Sequence, residues 1–429
     1  MKRKPLFLLF LIATMLILPS SGQCQSMDDL IDIGSVDLNS SYESFRALDS
    51  LFEGKSIVLL GEQSHREGTA CRTKYQLIKY LHEVHDFDLL LFESDFYGGM
   101  KAWEEITAGA QMGETLAKSV FFVWSATVGF QQFSGYLADQ LKTEDTLQVL
   151  GFDNQLSSQY FKESFEDVKA FIEMSEIISK EQKSHLIETI DLFQSGNSKA
   201  LKKNGIDKDL STIDSLLPAT ELLSFEEQSL LCLKSVLSDR FGKTYLRDQQ
   251  MADNFNWIRK KHPNKKIICF GATSHFLYNS EEVQLKGPLY ALADNFYAKN
   301  EMMGDYLKDQ YGDELYSVGF TAVQGSIGGW FGKAKELKQP IEKSLEYQIL
   351  RDYTESNFFF NLDPNSEFPF FSRPVGNAFM KTPANRVMDA LVINYTMEPL
   401  KKDKDMFCKT FTSNIWICPE NKERIENGG

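Results

Sequence analysis

Ile57-Val58-Leu59-Leu60-Gly61-Glu62-Gln63-Ser64-His65 opens as four consecutive apolar residues and closes on a glycine, a carboxylate and an imidazole. An apolar run that short, with no polar alternation, predicts a strand buried on both faces, as in a parallel sheet. Downstream, residues 73–84 place Tyr75, Leu77, Ile78 and Leu81 at helical spacing. Residues 87–92 are a second apolar strand, ended by Glu93, Ser94 and Asp95. Helical character resumes near Met100 and again over 130–141, and a third strand, 147–152, ends in Asp153. Strands that are apolar throughout and alternate with helices predict an α/β fold, a mostly parallel sheet with helices on both faces.

The rhythm then breaks. Residues 155–260 are rich in Lys, Glu, Leu and Ser and carry no strong strand run, which predicts a large helical insertion, a lid or cleft wall. The strand pattern resumes at 266–270 and returns at 315–321, 357–362 and 390–395, while 325–380 holds most of the later Gly and Pro and reads as loops. The expected organisation is a leader over 1–22, a first part of the core over 27–154, the insertion over 155–260, and the rest of the core with a tail over 261–429.

The leader reading rests on Lys2, Arg3 and Lys4, an apolar stretch from Leu6 to Leu18, and Pro19, Ser20, Ser21 and Gly22. That is a secretory signal peptide, cut at about 22–26 and too short to span a bilayer at ~20 residues. The expected location is periplasmic or extracellular, with a lipid anchor on Cys24 the lesser alternative because Gln23 is large. Export permits disulfides, and Cys408 with Cys418 is the candidate bridge; Cys71, Cys232 and Cys269 read as small buried hydrophobes. With 46 basic and 60 acidic residues the net charge is −14, which argues against a nucleic-acid partner. At 42% hydrophobic and 25% charged residues, disorder and coiled coil are excluded for the chain as a whole.

Ligands of open parallel sheets bind outside the carboxyl ends of the strands. Those ends carry Glu62 and His65, Glu93, Asp153, and Gly271-Ala272-Thr273-Ser274-His275. Two of the six histidines therefore converge on one rim with several carboxylates, the groups suited to proton transfer near neutral pH. The plainer alternative has Glu62 capping the next helix and His65 a packed or surface residue. His82, His85, His185 and His262 are expected on the solvated surface. Phe121, Phe122 and 358–360 read as core, with a cleft lining as the alternative. No Gly-x-Ser-x-Gly elbow, Walker loop or dinucleotide glycine loop occurs.

Taken together, Gly61-Glu62-Gln63-Ser64-His65 and Phe92-Glu93-Ser94-Asp95 resemble the opening of the erythromycin esterase family. That family sets Gly-Glu-x-x-His at the first strand end, a basic residue twelve after the glutamate, and a glutamate at the second strand end. Gly151-Phe152-Asp153, the helix Arg247-Asp248-Gln249-Gln250-Met251-Ala252-Asp253-Asn254, Met303 to Leu307, Ser317 to Phe320 and Met388 to Val392 follow in the family's order. Two places depart from it. Lys74 stands where an arginine is usual, and Ala272 stands where the first residue of His-Asn-x-His belongs, His275 keeping the second.

The resemblance implies an exported hydrolase that cleaves an ester or macrolactone with activated water. His65 would be the base, Glu62 or Glu93 its orienting carboxylate, and Lys74 and His275 the groups that meet the oxyanion or protonate the leaving alkoxide. Asp153, Ser64 and Thr273 would contact a small-molecule substrate. No cofactor is expected. The alternatives are a divalent metal held by His65, His275, Glu62, Glu93 and Asp153, and a non-catalytic binding protein on the same scaffold.

Overall fold

The structure, a computed structural model, describes residues 26–406 except 38–40, 205, 219–221, 242–243, 287–295, 329–332 and 367–369. The leader, Cys24 and the Cys408–Cys418 pair lie outside the described residues. No helix among those described is long and apolar enough to cross a membrane.

Among the described residues nine strands form one sheet: β1 (Ile31–Asp32), β2 (Ile57–Glu62), β3 (Phe87–Asp95), β4 (Gln148–Asp153), β5 (Lys266–Ala272), β6 (Leu315–Ile327), β7 (Lys335–Glu336), β8 (Phe358–Asn361) and β9 (Ala390–Met397). Their order is β1-β8-β9-β6-β2-β5-β3-β4, with β7 on β6. The six strands from β9 to β4 run parallel, and β1, β7 and β8 pair antiparallel. This is the α/β class the apolar runs imply. Ile57, Leu59, Leu89, Leu91, Ile267 and Cys269 pack on one face, and Val58, Leu60, Leu90, Phe92, Ile268 and Phe270 on the other. Full burial of each large apolar side chain is worth ~1.5–3 kcal/mol, so strands covered on both faces anchor the fold.

The strands outrun their apolar stretches. Glu62, Glu93, Asp95 and Ala272 belong to the strands themselves and are buried. β1 and β7, two residues each, are too short to carry a period, and the helix Leu345–Asp352 lies in the segment expected to be loops. Between β4 and β5 the described chain is helical, including Phe161–Met174, Lys180–Gln194 and Phe225–Phe241. These helices share an apolar cluster of their own, with Phe165, Ile172, Leu186, Ile190 and Leu237. Tyr97 Oη donates to Asp167 at 2.6 Å and Asn154 Nδ2 to Ser235 at 2.6 Å, which tie that cluster to the core.

The surface expectation is overturned for His82, while His85, His185 and His262 are partly buried. His82 is 1% exposed, with Nδ1 2.8 Å from the Phe87 carbonyl. His85 Nε2 lies 3.0 Å from Tyr80 Oη and 3.2 Å from Asp49. His185 Nδ1 sits 2.7 Å from the buried Asp209. His262 is half-buried, and burial lowers its imidazole below the usual value. The first three fall where a helix packs back on the sheet or on another helix, a contact that sequence position does not reveal. Cys71, Cys232 and Cys269 are free and buried, as expected of them.

Candidate functional site

β5 enters the sheet between β2 and β3. The strand ends therefore line up as Glu62 and His65, then Ala272 and His275, then Glu93, then Asp153. Gly271 makes the crossing possible. A Cβ there would lie 2.8 Å from Glu93 Oε2, so a larger residue would push the Glu93 carboxylate from its place over β5. Glu93 Oε2 accepts from the Ala272 N–H at 2.8 Å.

Glu62 has no exposed surface and does not cap the following helix, Gly68–His85. Its Oε1 accepts from Trp124 Nε1 at 2.8 Å and faces His65 Nδ1 at 3.0 Å, and its Oε2 accepts from Lys74 Nζ at 2.8 Å. Burial alone would raise this carboxyl, but Lys74 and His65 outweigh it and hold it below the ordinary carboxylate range. The His65 side chain is 34% exposed and sits edge-on to Trp124 and Phe121. Burial would lower its imidazole, but the bond to Glu62 and the field of Glu93 hold it above the histidine norm. With Nδ1 taken, Nε2 is the nitrogen left to exchange a proton.

On the far side of β5, Glu93 Oε1 accepts from Arg247 Nη2 at 2.9 Å and lies 3.4 Å from His275 Nε2. Burial pushes this carboxyl up, yet His275, His65 and Arg247 bring it down to about 2. Arg247 also forks onto Asp153, with Nη2 2.7 Å from Oδ2 and Nε 3.2 Å from Oδ1. His275 Nδ1 lies 2.7 Å from Oδ1 of the fully buried Asp248, and Arg247 Nη1 is 3.3 Å from His275 Nε2. Burial lowers the His275 imidazole; Asp248 and Glu93 raise it by more, against Arg247.

Glu67, beneath the same loop, is fully buried. Its Oε1 accepts from Asn377 Nδ2 at 2.9 Å and from Ser64 Oγ at 3.2 Å, and Oε2 has no partner among the described residues. Burial pushes this carboxyl up to about 7.

Several expected roles change. Lys74 is not at the rim. Fully buried, it is wedged between Glu62 and the Gly271 carbonyl (2.8 Å), with Nζ 3.9 Å from the centre of the Phe270 ring, so it cannot meet an oxyanion. Thr273 is buried and its Oγ1 donates to the Gly61 carbonyl; Ser64 donates to Glu67; Asp153 is occupied by Arg247. Each of the three already has a partner within the protein. The donors do not fit a preformed cation site. Glu62, Glu93 and Asp153 are each held by a Lys or Arg, and among the described residues no group of three or more His, Cys, Asp or Glu is placed to hold a metal ion.

Three residues enter that sequence reasoning missed as functional: Trp124, Arg247 and Asp248. A cavity of about 520 Å³ adjoins Arg247, walled by Phe161, Phe165 and Phe193 and by Asn154, Arg240 and Tyr245. A larger one, about 780 Å³, opens beside the start of the helix Gly68–His85; none of His65, Glu93 and His275 lines it, so size alone does not locate the chemistry.

The family model described as Erythromycin esterase matches residues 82–390. The Bacillus subtilis (strain 168) protein YbfO, whose name classes it provisionally as a hydrolase, is 27% identical over 327 residues, spanning 67% of this chain and 69% of that protein. A histidine-to-asparagine mutant of erythromycin esterase EreC, solved in its open conformation, superposes with a TM-score of 0.64 at 17% identity, covering 87% of this chain and 99% of that one. A crystal structure titled as a succinoglycan biosynthesis protein does so at 0.63 and 15%, covering 88% and 96%. At such identities the solved structures speak for the fold alone. The family match covers well over half of the sequence, and the chain belongs to the erythromycin esterase family, a family of hydrolases.

Proposed function

We propose that this protein is an exported hydrolase that cleaves a carboxylic ester or macrolactone by attack of activated water. The observation that carries the reading is His65: part of its ring is open to solvent, while Nδ1 is fixed on a buried carboxylate. His65 Nε2 takes a proton from water as the oxygen bonds to the substrate carbonyl. Glu62, kept ionised by Lys74, stabilises the imidazolium that forms, the role a triad carboxylate plays. His275 gives its Nε2 proton to the alkoxide as the C–O bond breaks, and the product is an acid and an alcohol. A placed base contributes ~10²–10⁴-fold, and the fixed charges around Glu93 supply part of the rest. Export rests on the sequence of residues 1–22, and a substrate outside the cytoplasm follows from it.

The test incubates the purified mature protein with erythromycin and with a panel of simple esters and looks for a mass gain of one water. A gain that disappears in a folded His65→Ala variant supports the reading. A folded wild-type protein that turns over none of them overturns it.

A further inference from the structure

The two imidazoles at the rim are held alike, each with Nδ1 against a buried carboxylate. For His275 that carboxylate is Asp248, which begins the helix Arg247–Lys261 beside Arg247. Asp248 has no exposed surface, and its own position is fixed: Oδ2 accepts from Tyr245 Oη, and Oδ1 accepts from the Met303 N–H at 3.0 Å as well as facing His275 Nδ1. An acceptor-only group fixed in this way demands a proton on Nδ1. The charged groups facing His275 are Asp248 and Arg247 from that helix and Glu93 from β3, with Asp153 of β4 behind Arg247.

The Nε2 atom thus has two different partners. Neutral His275 accepts at Nε2 from Arg247 Nη1, 3.3 Å away. Protonated His275 turns the same atom into a donor, and Glu93 Oε1 at 3.4 Å is the acceptor. We propose that Asp248 and Arg247 are positioning residues for His275: Asp248 fixes the Nδ1–H tautomer, and Arg247 and Glu93 give Nε2 one partner for each protonation state. The inference rests on the reading above that His275 is the proton donor. It explains how one ring returns to the same geometry after losing its proton.

The Asp248→Asn variant separates charge from geometry. The Met303 N–H still needs an acceptor, so the amide oxygen of the variant takes the Oδ1 place and continues to accept from Nδ1–H; the Tyr245 hydroxyl turns to accept from the new NH₂. Only the negative charge is lost. With histidine labelled in ¹⁵N, NMR of the folded wild-type protein reads the His275 tautomer directly. The Nδ1–H form is expected for the neutral ring. In Asp248→Asn the His275 titration moves down by about one pH unit or more, as expected when a carboxylate in hydrogen-bond contact is neutralised. If the enzyme turns over an ester, the kcat profile moves by the same amount. A neutral wild-type ring protonated on Nε2, or a titration that does not move in the variant, overturns the inference. The wild-type tautomer decides even if the variant does not fold. Neither NMR readout needs substrate, so failure here and failure of the esterase reading are separate results.

Discussion

Lys74 Nζ lies 2.8 Å from Glu62 Oε2, and neither side chain has any exposed surface. Water is thus shut out from the pair that stands behind His65. Removing one partner of such a pair leaves the other charged and buried, which costs about 3–5 kcal/mol. Lys74→Met is expected to lower unfolding free energy by that order, read from urea titrations. It also removes the charge that keeps Glu62 ionised and that opposes protonation of His65, so the His65 titration moves. A variant as stable as wild type with an unmoved His65 would show that the pair contributes nothing net.

Acid should also weaken the other half of the site. Glu93 titrates at about 2 in the fold against 4.5 ordinarily. A depressed carboxyl adds stability above its unfolded value, and the benefit is lost as pH falls from about 4.5 through about 2. The whole effect is roughly 3.5 kcal/mol at most, at about 1.4 kcal/mol for each pH unit. The Glu93→Gln variant is expected to be less stable than wild type at pH 6 and to show a flatter decline between pH 5 and pH 2. Parallel stability curves for the two proteins would contradict this.

Glu67 has the opposite sign. Its carboxyl is raised from 4.5 to about 7, so the fold favours its protonated form, and the cost of ionising it accrues as pH rises through that window. Glu67→Gln keeps an acceptor for Asn377 and Ser64 and never ionises. It is expected to match wild type at pH 4 and to exceed it at pH 8 by a few kcal/mol at most, at ~1.4 kcal/mol for each pH unit of that window. Thermal melts at the two pH values decide it; an advantage confined to pH 4 is the opposite result.

Gly271→Ala tests the crossing over β5. The new methyl meets Glu93 Oε2 at 2.8 Å and the Phe276 ring at 2.9 Å. Overpacking of this kind costs ~1–3 kcal/mol. Because the displaced atom is the Glu93 carboxylate, any ester turnover should fall further than stability does, while Tm drops by only a few degrees. Unchanged kcat with a lowered Tm would separate Gly271 from the chemistry.

Glu62, His65, Glu93 and His275 were legible in the sequence because each sits within a few residues of the end of an apolar run, and parallel strands bring such ends together. Lys74 was misplaced because spacing along the chain does not give direction. The helix Gly68–His85 turns the face bearing Cys71, Lys74 and Ile78 to the core, and a lysine in that stripe was the available signal that it faces inward. Arg247 and Asp248 were visible only as part of a helix pattern. Opposite charges side by side at a helix start look solvated until β4 and β5 are seen to pack against them. Trp124 lies in the short helix Phe122–Ser125, which has no periodicity to read.

The placing of β5 also sets the order in which this protein can come together. β2 and β3 are separated by less than thirty residues of chain, yet they share no ladder; each is bonded to β5, which is made only after the whole helical insertion. A nascent chain that ends before β5 carries Glu62, His65 and Glu93 on strands with a missing neighbour between them. The central seam of the sheet closes by contacts distant in sequence, which makes folding slow and leaves two open edges during synthesis. The seam therefore stays open until β5, Lys266–Ala272, has been made, with most of the chain already synthesised.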